Sequence, residues 1–464
     1  LQQLIKIVGS AHAITDPADQ IGYLREWRDK FVGRTPVVLR PGTAEEVAQI
    51  LKIANDARIG VVPQGGNTGL VGAQIPSSTG SEIVLSLSRL NRVREVDPAG
   101  TFMIVEAGAT LAQAQAAAER ANRLFPLSLP SEGSCEIGGV LATNAGGVGV
   151  LAYGNARALA LGLEAVLADG TVWNGLKTLK KDNTGYDLRD LFIGSEGTLG
   201  IITAASLKLY PRPKEKAVAF VALPDAKAVL ALYAIAEERA HERLTAFEFM
   251  NGLSIDLVLR HIPGARAPFT APAPWYALIE LSSSTGGGSA LSTLEWMLAE
   301  ASEQGVIGDA VIAGTLAQSH ELWRLRETIS EAQKPEGGSI KHDISVPVAR
   351  IPEFLALAAR EVEEAFPGAR PVAFGHFGDG NVHYNVSQPA GSDRAAFLAR
   401  WDEVSAKVHD VVASLGGSIS AEHGIGQLKR QELVRFKSPI ELDLMRRIKA
   451  AFDPRGILNP GKLL

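Results

Sequence analysis

The sequence predicts an α+β protein of two or three domains, and three observations carry that expectation. At 464 residues the chain exceeds one ordinary domain, and each part is long enough to bury a core. The stretch PRPKEK, Pro211 to Lys216, breaks the composition and marks the expected boundary. Beyond it, apolar strand-like runs (AVAFVAL, WYALIEL) alternate with amphipathic helical stretches (AKAVLALYAIAEER, SALSTLEWMLAEASEQ), the pattern of a sheet covered by helices.

In chain order, a polar, helical start leads to PVVLRP (36 to 41), read as a short strand. A helix is expected from Thr43 to about Arg58. Thr43 and Glu46 have capping-box spacing, Ala44, Val47, Ile50, Leu51 and Ala54 form the apolar stripe, and Gly60 is the expected stop. The strand GVVP then delivers the chain into QGGNTGLVGAQ, whose glycines allow tight backbone angles and close approach of a phosphate. EIVLSLSRL, NRVREVD and TFMIVEAG read as strands, with a turn at Asp97 to Gly100. An Ala-rich helix follows over about 110 to 122, then LPSEGSCEIGGVLATNAGG, a hairpin LEAVLADGTVW turning at Asp169 and Gly170, and KDNTGYDLRDLFIGSEGTLGIIT. Three Gly-rich loops in one αβ region point to a nucleotide more firmly than any one alone.

Gly147, Gly149 and Ala152 match GxGxxA, and Asp169 lies near the spacing of a ribose-binding acid. LATNAGG is a poor strand and Asp169 belongs to a hairpin turn, so a Rossmann site is not the reading; no GxxxxGK[ST] occurs. In the second region HELWRLRETISEAQK is amphipathic and carries Arg324 and Arg326. KHDISVPV reads as a strand with Lys341 and His342 near its start, and RIPEFLALAAREVEEAF as a helix. The last fifty residues or so hold a helix around 403 to 414, the AEHGIG loop, a further helix to about Phe452, and DPRGILNPGK.

A net charge of -5 without a Lys/Arg block gives no footprint for nucleic acid. The most apolar region, from Ala217, is broken by Pro224, Asp225 and Lys227 short of a membrane span. The single cysteine, Cys135, excludes an internal disulfide, Cys-ligated iron–sulfur clusters and CxxCH haem attachment, and fits the cytoplasm or a mitochondrial matrix. No secretory signal is visible, and a start without Met is expected to be a trimmed one.

The densest chemistry lies in GHFGDGNVHYN, Gly375 to Asn385, together with AEHG at 421 to 424. Imidazoles and a carboxylate suit a divalent transition ion, and an extra histidine suits a proton acceptor near neutral pH. Four of the nine histidines, His342, His376, His383 and His423, fall in this stretch of chain beside glycines and acids. In a strand, His383 and Asn385 would share one face while Val382, Tyr384 and Val386 pack behind.

PQGGNTGLVG, ATNAGG, GSEGTLGIIT, GHFGDGNVHYN, SAEHGIG and DPRGILNPGK, in this order, resemble the FAD-linked D-2-hydroxy-acid dehydrogenases of the vanillyl-alcohol-oxidase (PCMH-type) superfamily. The similarity runs from about residue 35 to the C-terminus. It is greatest to the D-2-hydroxyglutarate dehydrogenases, with D-lactate dehydrogenases and the FAD subunit of glycolate oxidase nearby. It implies a PCMH-type FAD-binding domain over 1–213 and an α+β substrate (cap) domain with an antiparallel sheet over 214–410. A C-terminal segment over 411–464 would return to the FAD site.

On that resemblance, Pro63, Gln64, Gly65, Gly66, Asn67, Thr68, Gly69 and Leu70 would cradle the FAD pyrophosphate. Pro130, Ser131, Gly133, Ser134, Gly138, Asn144 and Gly146 would line the isoalloxazine and ribityl side. Glu196, Gly197, Gly200 and Ile201 would lie along the flavin, and Asn459 would complete the site. Relatives with His-linked flavin carry that residue in or near the first glycine loop. Asn67 stands there instead, implying non-covalent FAD, with Cys135 packing on the flavin rather than forming a thioether.

His376, His383 and Glu422 would be the metal ligands, for zinc, with manganese or iron compatible with the same set. Arg326 and Lys341 would bind substrate carboxylates, and Ser330 occupies a position where the hydroxyglutarate enzymes place Thr. Asn385 would orient the substrate and His423 would be the base. The implied reaction is oxidation of a D-2-hydroxy acid, D-2-hydroxyglutarate first, to the 2-oxo acid. D-Lactate dehydrogenase and glycolate oxidase are the alternatives, and a flavin-free metal-dependent hydrolase is the remote one. Electrons would leave to an electron-transferring flavoprotein, a quinone, a cytochrome or a partner subunit, and many relatives are homodimers.

Overall fold

The computed structural model describes residues 1–464, which divide into two compact units. The first comprises Leu1–Gly146, Tyr153–Arg212 and Glu422–Leu464; the second comprises Gly147–Ala152 and Pro213–Ala421. One crossing therefore falls inside PRPKEK. The return to the first unit comes at Glu422, whereas 411 lies inside the continuous helix Trp401–Ser414.

The first unit holds two sheets. In the smaller, Val38–Leu39, Ile83–Ser86 and Val61–Gln64 run parallel, and Ala13–Ile14 adds an antiparallel edge. The helix Ala44–Ala57 covers it through Val47, Ile50, Leu51 and Ala54, all fully buried. Thr43 accepts the Glu46 amide as N-cap. The stop is not Gly60: Arg58 itself takes the left-handed conformation at φ 54°, a position where glycine is the commoner choice. The larger sheet is antiparallel, ordered Val93–Asp97, Phe102–Glu106, Ile201–Lys208, Ala160–Val166, Val172–Gly175. Its last pair is the expected hairpin through Asp169 and Gly170. The helix Leu111–Arg120 opens on a complete capping box between Thr110 and Gln113. LATNAGG lies at and beyond the helix Ile137–Ala142 rather than in a strand, which disposes of the Rossmann geometry.

The second unit is built on one eight-stranded antiparallel sheet. Its path runs Asp309–Ile312, Glu215–Leu223, Trp275–Ser283, Leu244–Asn251, Arg370–His376, Asn381–Ser387, Ser339–Ile340, and Asp343–Ser345 also pairs with Asn381–Ser387. KHDISVPV thus holds only the short strand Asp343–Ser345, and Lys341 and His342 lie in the gap between it and Ser339–Ile340. One face packs Phe247, Phe249, Ala373, Val382, Tyr384 and Val386 against the helices Ala226–Ala240, Ser289–Glu303, Ile351–Ala365 and Trp401–Ser414. Each such side chain contributes about 1.5–3 kcal/mol of burial, enough for period-two patterning to fix the register. The opposite face carries Met250, Val372 and Phe374 beneath the helices Gly252–His261, Leu316–Glu327 and Ile329–Ala332.

Candidate functional site

In the first unit, the strand Val61–Gln64 runs into the loop Gly65 to Leu70. Buried Gln64 donates to the Tyr23 and Gln74 carbonyls at 2.8 and 2.9 Å, and Asn67, at φ 54°, donates to Gly22 and Arg25 at 2.9 and 3.0 Å. Side chains therefore hold the loop from outside, leaving its half-buried backbone as the lining surface. The loop also packs on the second glycine segment. A Cβ on Gly66 would overlap the Ser134 carbonyl, whereas one on Gly133 would meet nothing within 4 Å. We expect Gly66→Ala to destabilise the protein by about 1–3 kcal/mol or more and to lower bound-flavin absorbance, with Gly133→Ala folding normally, both read by melting temperature.

The third loop and the C-terminal tail meet at Glu196, itself at φ 52°. Its buried carboxylate accepts the Ile425 and Gly426 amides at 2.7 Å each, and its carbonyl accepts Asn459 Nδ2 at 2.7 Å. Burial pushes the Glu196 carboxyl up, against the pull of the two amides and of Lys429. Asn459 also donates to the Ala73 carbonyl at 3.0 Å, while its buried Oδ1 has no partner. An orphaned acceptor beside three glycine loops and the open segment Pro130 to Ser134 fits a polar cofactor. Gly138, Gly146, Gly197, Gly200 and Ile201 are buried behind that lining, and Asn144 is half-buried, its Oδ1 accepting the Arg157 amide at 3.0 Å. Cys135 sits in the apolar core, where burial pushes its thiol up and away from the reactive thiolate.

In the second unit, register places Glu248 opposite His376, Phe374 opposite His383 and Val372 opposite Asn385. All therefore share the sheet face away from Tyr384, as the alternation in VHYNV predicts. The His376 and His383 rings lie 5.7 Å apart between centroids. His376 Nδ1 is 2.7 Å from Glu248 Oε1, and His383 Nδ1 is 3.9 Å from Asp343 Oδ1. A carboxylate hydrogen-bonded behind an imidazole, as at His376, is the arrangement that orients a metal-binding histidine through its other nitrogen, so this donor set fits a divalent ion.

Arg326 reaches the same face from its helix and is 8% exposed. One terminal nitrogen pairs with Glu248 Oε2 at 2.7 Å, the guanidinium lies 4.8 Å from the Phe374 ring centre, and Nε has no hydrogen-bond partner. Burial would raise the Glu248 carboxyl, but the charges of His376 and Arg326 hold it below the usual range. Asn385 donates to Gln333 Oε1 at 3.1 Å. Lys341 is half-buried between its two strands, and Ser330 is exposed on Ile329–Ala332. Glu422 and His423 directly follow Ala421, whose amide donates to the Asp343 carbonyl at 3.3 Å.

His342 does not join this group. Its Nδ1 lies 2.7 Å from the Tyr384 carbonyl and its Nε2 3.2 Å from Ser405 Oγ, which makes it a core histidine. Glu248 is absent from the sequence-derived site. A lone acid inside LTAFEFMN, flanked by aromatics, was the available signal.

Residues 212–463 match the family of FAD linked oxidases, C-terminal domain, and residues 35–175 match an FAD binding domain. The chain belongs to the FAD-linked oxidases. Among members of this family, it is 38% identical over 459 residues to the mitochondrial D-2-hydroxyglutarate dehydrogenase of Arabidopsis thaliana, covering 99% of this chain and 80% of that one. It is 39% identical over 451 residues to the D-2-hydroxyglutarate dehydrogenase of Xanthomonas citri pv. viticola, covering 97% and 93%. The solved structure of p-cresol methylhydroxylase superposes with a TM-score of 0.79 at 18% identity, over 100% of this chain and 95% of that one. This FAD-linked oxidase therefore has the PCMH-type fold, and its first unit is the flavin-binding one. No helix in it is long and apolar enough to cross a membrane.

Proposed function

We propose that the protein is an FAD-dependent dehydrogenase of D-2-hydroxy acids, with D-2-hydroxyglutarate as substrate, and that a divalent metal positions the substrate. The observation that carries this reading is the pairing, on one sheet face, of two histidines, one of them carboxylate-backed, with a buried arginine that keeps an unpartnered donor. The names of the relatives favour the same acid. FAD, held non-covalently when bound, would supply the acceptor for the Cα hydride, and an external flavoprotein, quinone or cytochrome would be the final electron acceptor. A bound divalent ion, zinc by preference and manganese or iron by the same ligands, supplies Lewis acidity at the substrate hydroxyl.

The chain's own residues do the rest. His376, His383 and Glu422 are the residues that would hold the ion. Arg326 offers the terminal nitrogen not held by Glu248 to the distal carboxylate, and Lys341 adds a point charge. Ser330 supplies a hydroxyl toward the far end of the diacid, and Asn385, steadied by Gln333, orients the near end. His423 takes the hydroxyl proton as the carbonyl forms. A homodimer is the assembly this reading carries over from relatives.

The test is anaerobic bleaching of the flavin with D-2-hydroxyglutarate, D-malate, D-lactate and glycolate in parallel. D-2-Hydroxyglutarate should reduce it fastest; a faster rate with D-lactate overturns the diacid assignment. Stripping metal with a chelator should leave the protein yellow but slow to bleach, and an unchanged rate removes the metal from the mechanism.

A further inference from the structure

We propose that Glu248 is a positioning residue shared by the metal-binding and substrate-binding halves of the site. This rests on the reading just given of His376 and Arg326. Glu248 lies in Leu244–Asn251 at 1% exposure, and a carboxylate so buried persists only against partners. A structural ion pair needs one partner, yet this carboxylate divides its oxygens between two elements. Oε1 lies 2.7 Å from His376 Nδ1 at the end of Arg370–His376, and Oε2 lies 2.7 Å from an Arg326 terminal nitrogen on Leu316–Glu327.

The first contact fixes the imidazole tautomer. With Nδ1–H donating to Glu248, the lone pair is on Nε2, the nitrogen a metal would use, and the carboxylate makes it more basic. The second contact fixes which edge of the guanidinium remains. One terminal nitrogen is occupied and Phe374 supports the flat face at 4.8 Å, so the other terminal nitrogen is the one left for an incoming carboxylate. Phe374 also lies 5.1 Å from the His383 ring, so both halves share one rigid floor. Metal affinity and recognition of the distal carboxylate are thereby coupled through a single side chain that touches neither ligand.

The experiment uses the flavin-loaded protein, stripped of metal and titrated with Zn²⁺, Mn²⁺ or Co²⁺ against a chromophoric chelator. Glu248→Gln keeps the volume but cannot accept from both partners at full charge. Its Zn²⁺ affinity should fall about 10–100-fold. Its KM for D-2-hydroxyglutarate should rise several-fold more than its KM for D-lactate, with flavin content unchanged. Should that variant fail to fold, Arg326→Met carries the test. Releasing Glu248 to His376 alone should tighten Zn²⁺ binding several-fold, although Arg326 is assigned no contact with the ion. Unmoved metal affinity in Glu248→Gln, or in Arg326→Met when the first variant does not fold, overturns the proposal. Wild-type protein that takes up none of the three ions overturns the underlying metal reading instead.

Discussion

Replacing His423 with alanine is expected to leave a folded, yellow protein whose flavin is reduced by D-2-hydroxyglutarate about 10²–10⁴-fold more slowly. The turn that follows His423 has anchors of its own. Immediately after it, Gly424 turns at φ 80° against Glu196, and the Ile425 and Gly426 amides are held by the Glu196 carboxylate. On the proposed assignment, loss of the ring removes the proton acceptor while those anchors stay in place. Stopped-flow absorbance under anaerobic conditions reads the rate directly, and added imidazole should restore part of it. A variant reduced at the wild-type rate would falsify the base assignment.

Glu136→Gln is expected to stabilise the protein, by an amount that grows with pH. Glu136 is 7% exposed, lies against Gly65, and its Oε2 has no hydrogen-bond partner. Burial pushes its carboxyl up to about 8, with Arg40 pulling the other way. In the unfolded chain the same group titrates near 4.3, so between about pH 4.3 and 8 the folded state binds a proton that the unfolded state has lost. The sign is then fixed: stability falls as pH rises through that window, by up to about 1.4 kcal/mol per unit, and levels off above it. Glutamine has no proton to lose. The melting-temperature gap between variant and wild type should widen from pH 5 to pH 8, reaching the equivalent of a few kcal/mol, and a gap that stays flat or reverses contradicts a neutral buried carboxyl.

Much of this was legible in the residues because it rests on local periodicity. The helix after Thr43, the hairpin at Asp169 and the two faces of VHYNV follow from spacing alone. What spacing could not convey is which partner a polar side chain finds. His342 reads like His376, yet one is satisfied by a backbone carbonyl and a serine and the other by a buried acid on a strand far away in sequence. Likewise the glycine loops read as phosphate cradles, while Gly66 is also required for loop to pack on loop. Arg58 ends its helix in a conformation that local preference assigns to glycine, an override that only tertiary packing supplies. The family resemblance named candidate ligand residues, but not Glu248 beside His376.

Val61 sits at the edge of the smaller sheet, and its amide and carbonyl are bonded by Ile457 and Asn459 at 2.8 Å each. Those partners leave the ribosome only after the whole of Pro213–Ala421 has been made. The flavin-binding unit therefore cannot mature from its amino-terminal part in the order of synthesis. Its smaller sheet keeps an open edge until the tail has been made. Pairing across so long a separation is slow. In such a protein, the sheet that delivers the chain into the first glycine loop is completed only when translation ends.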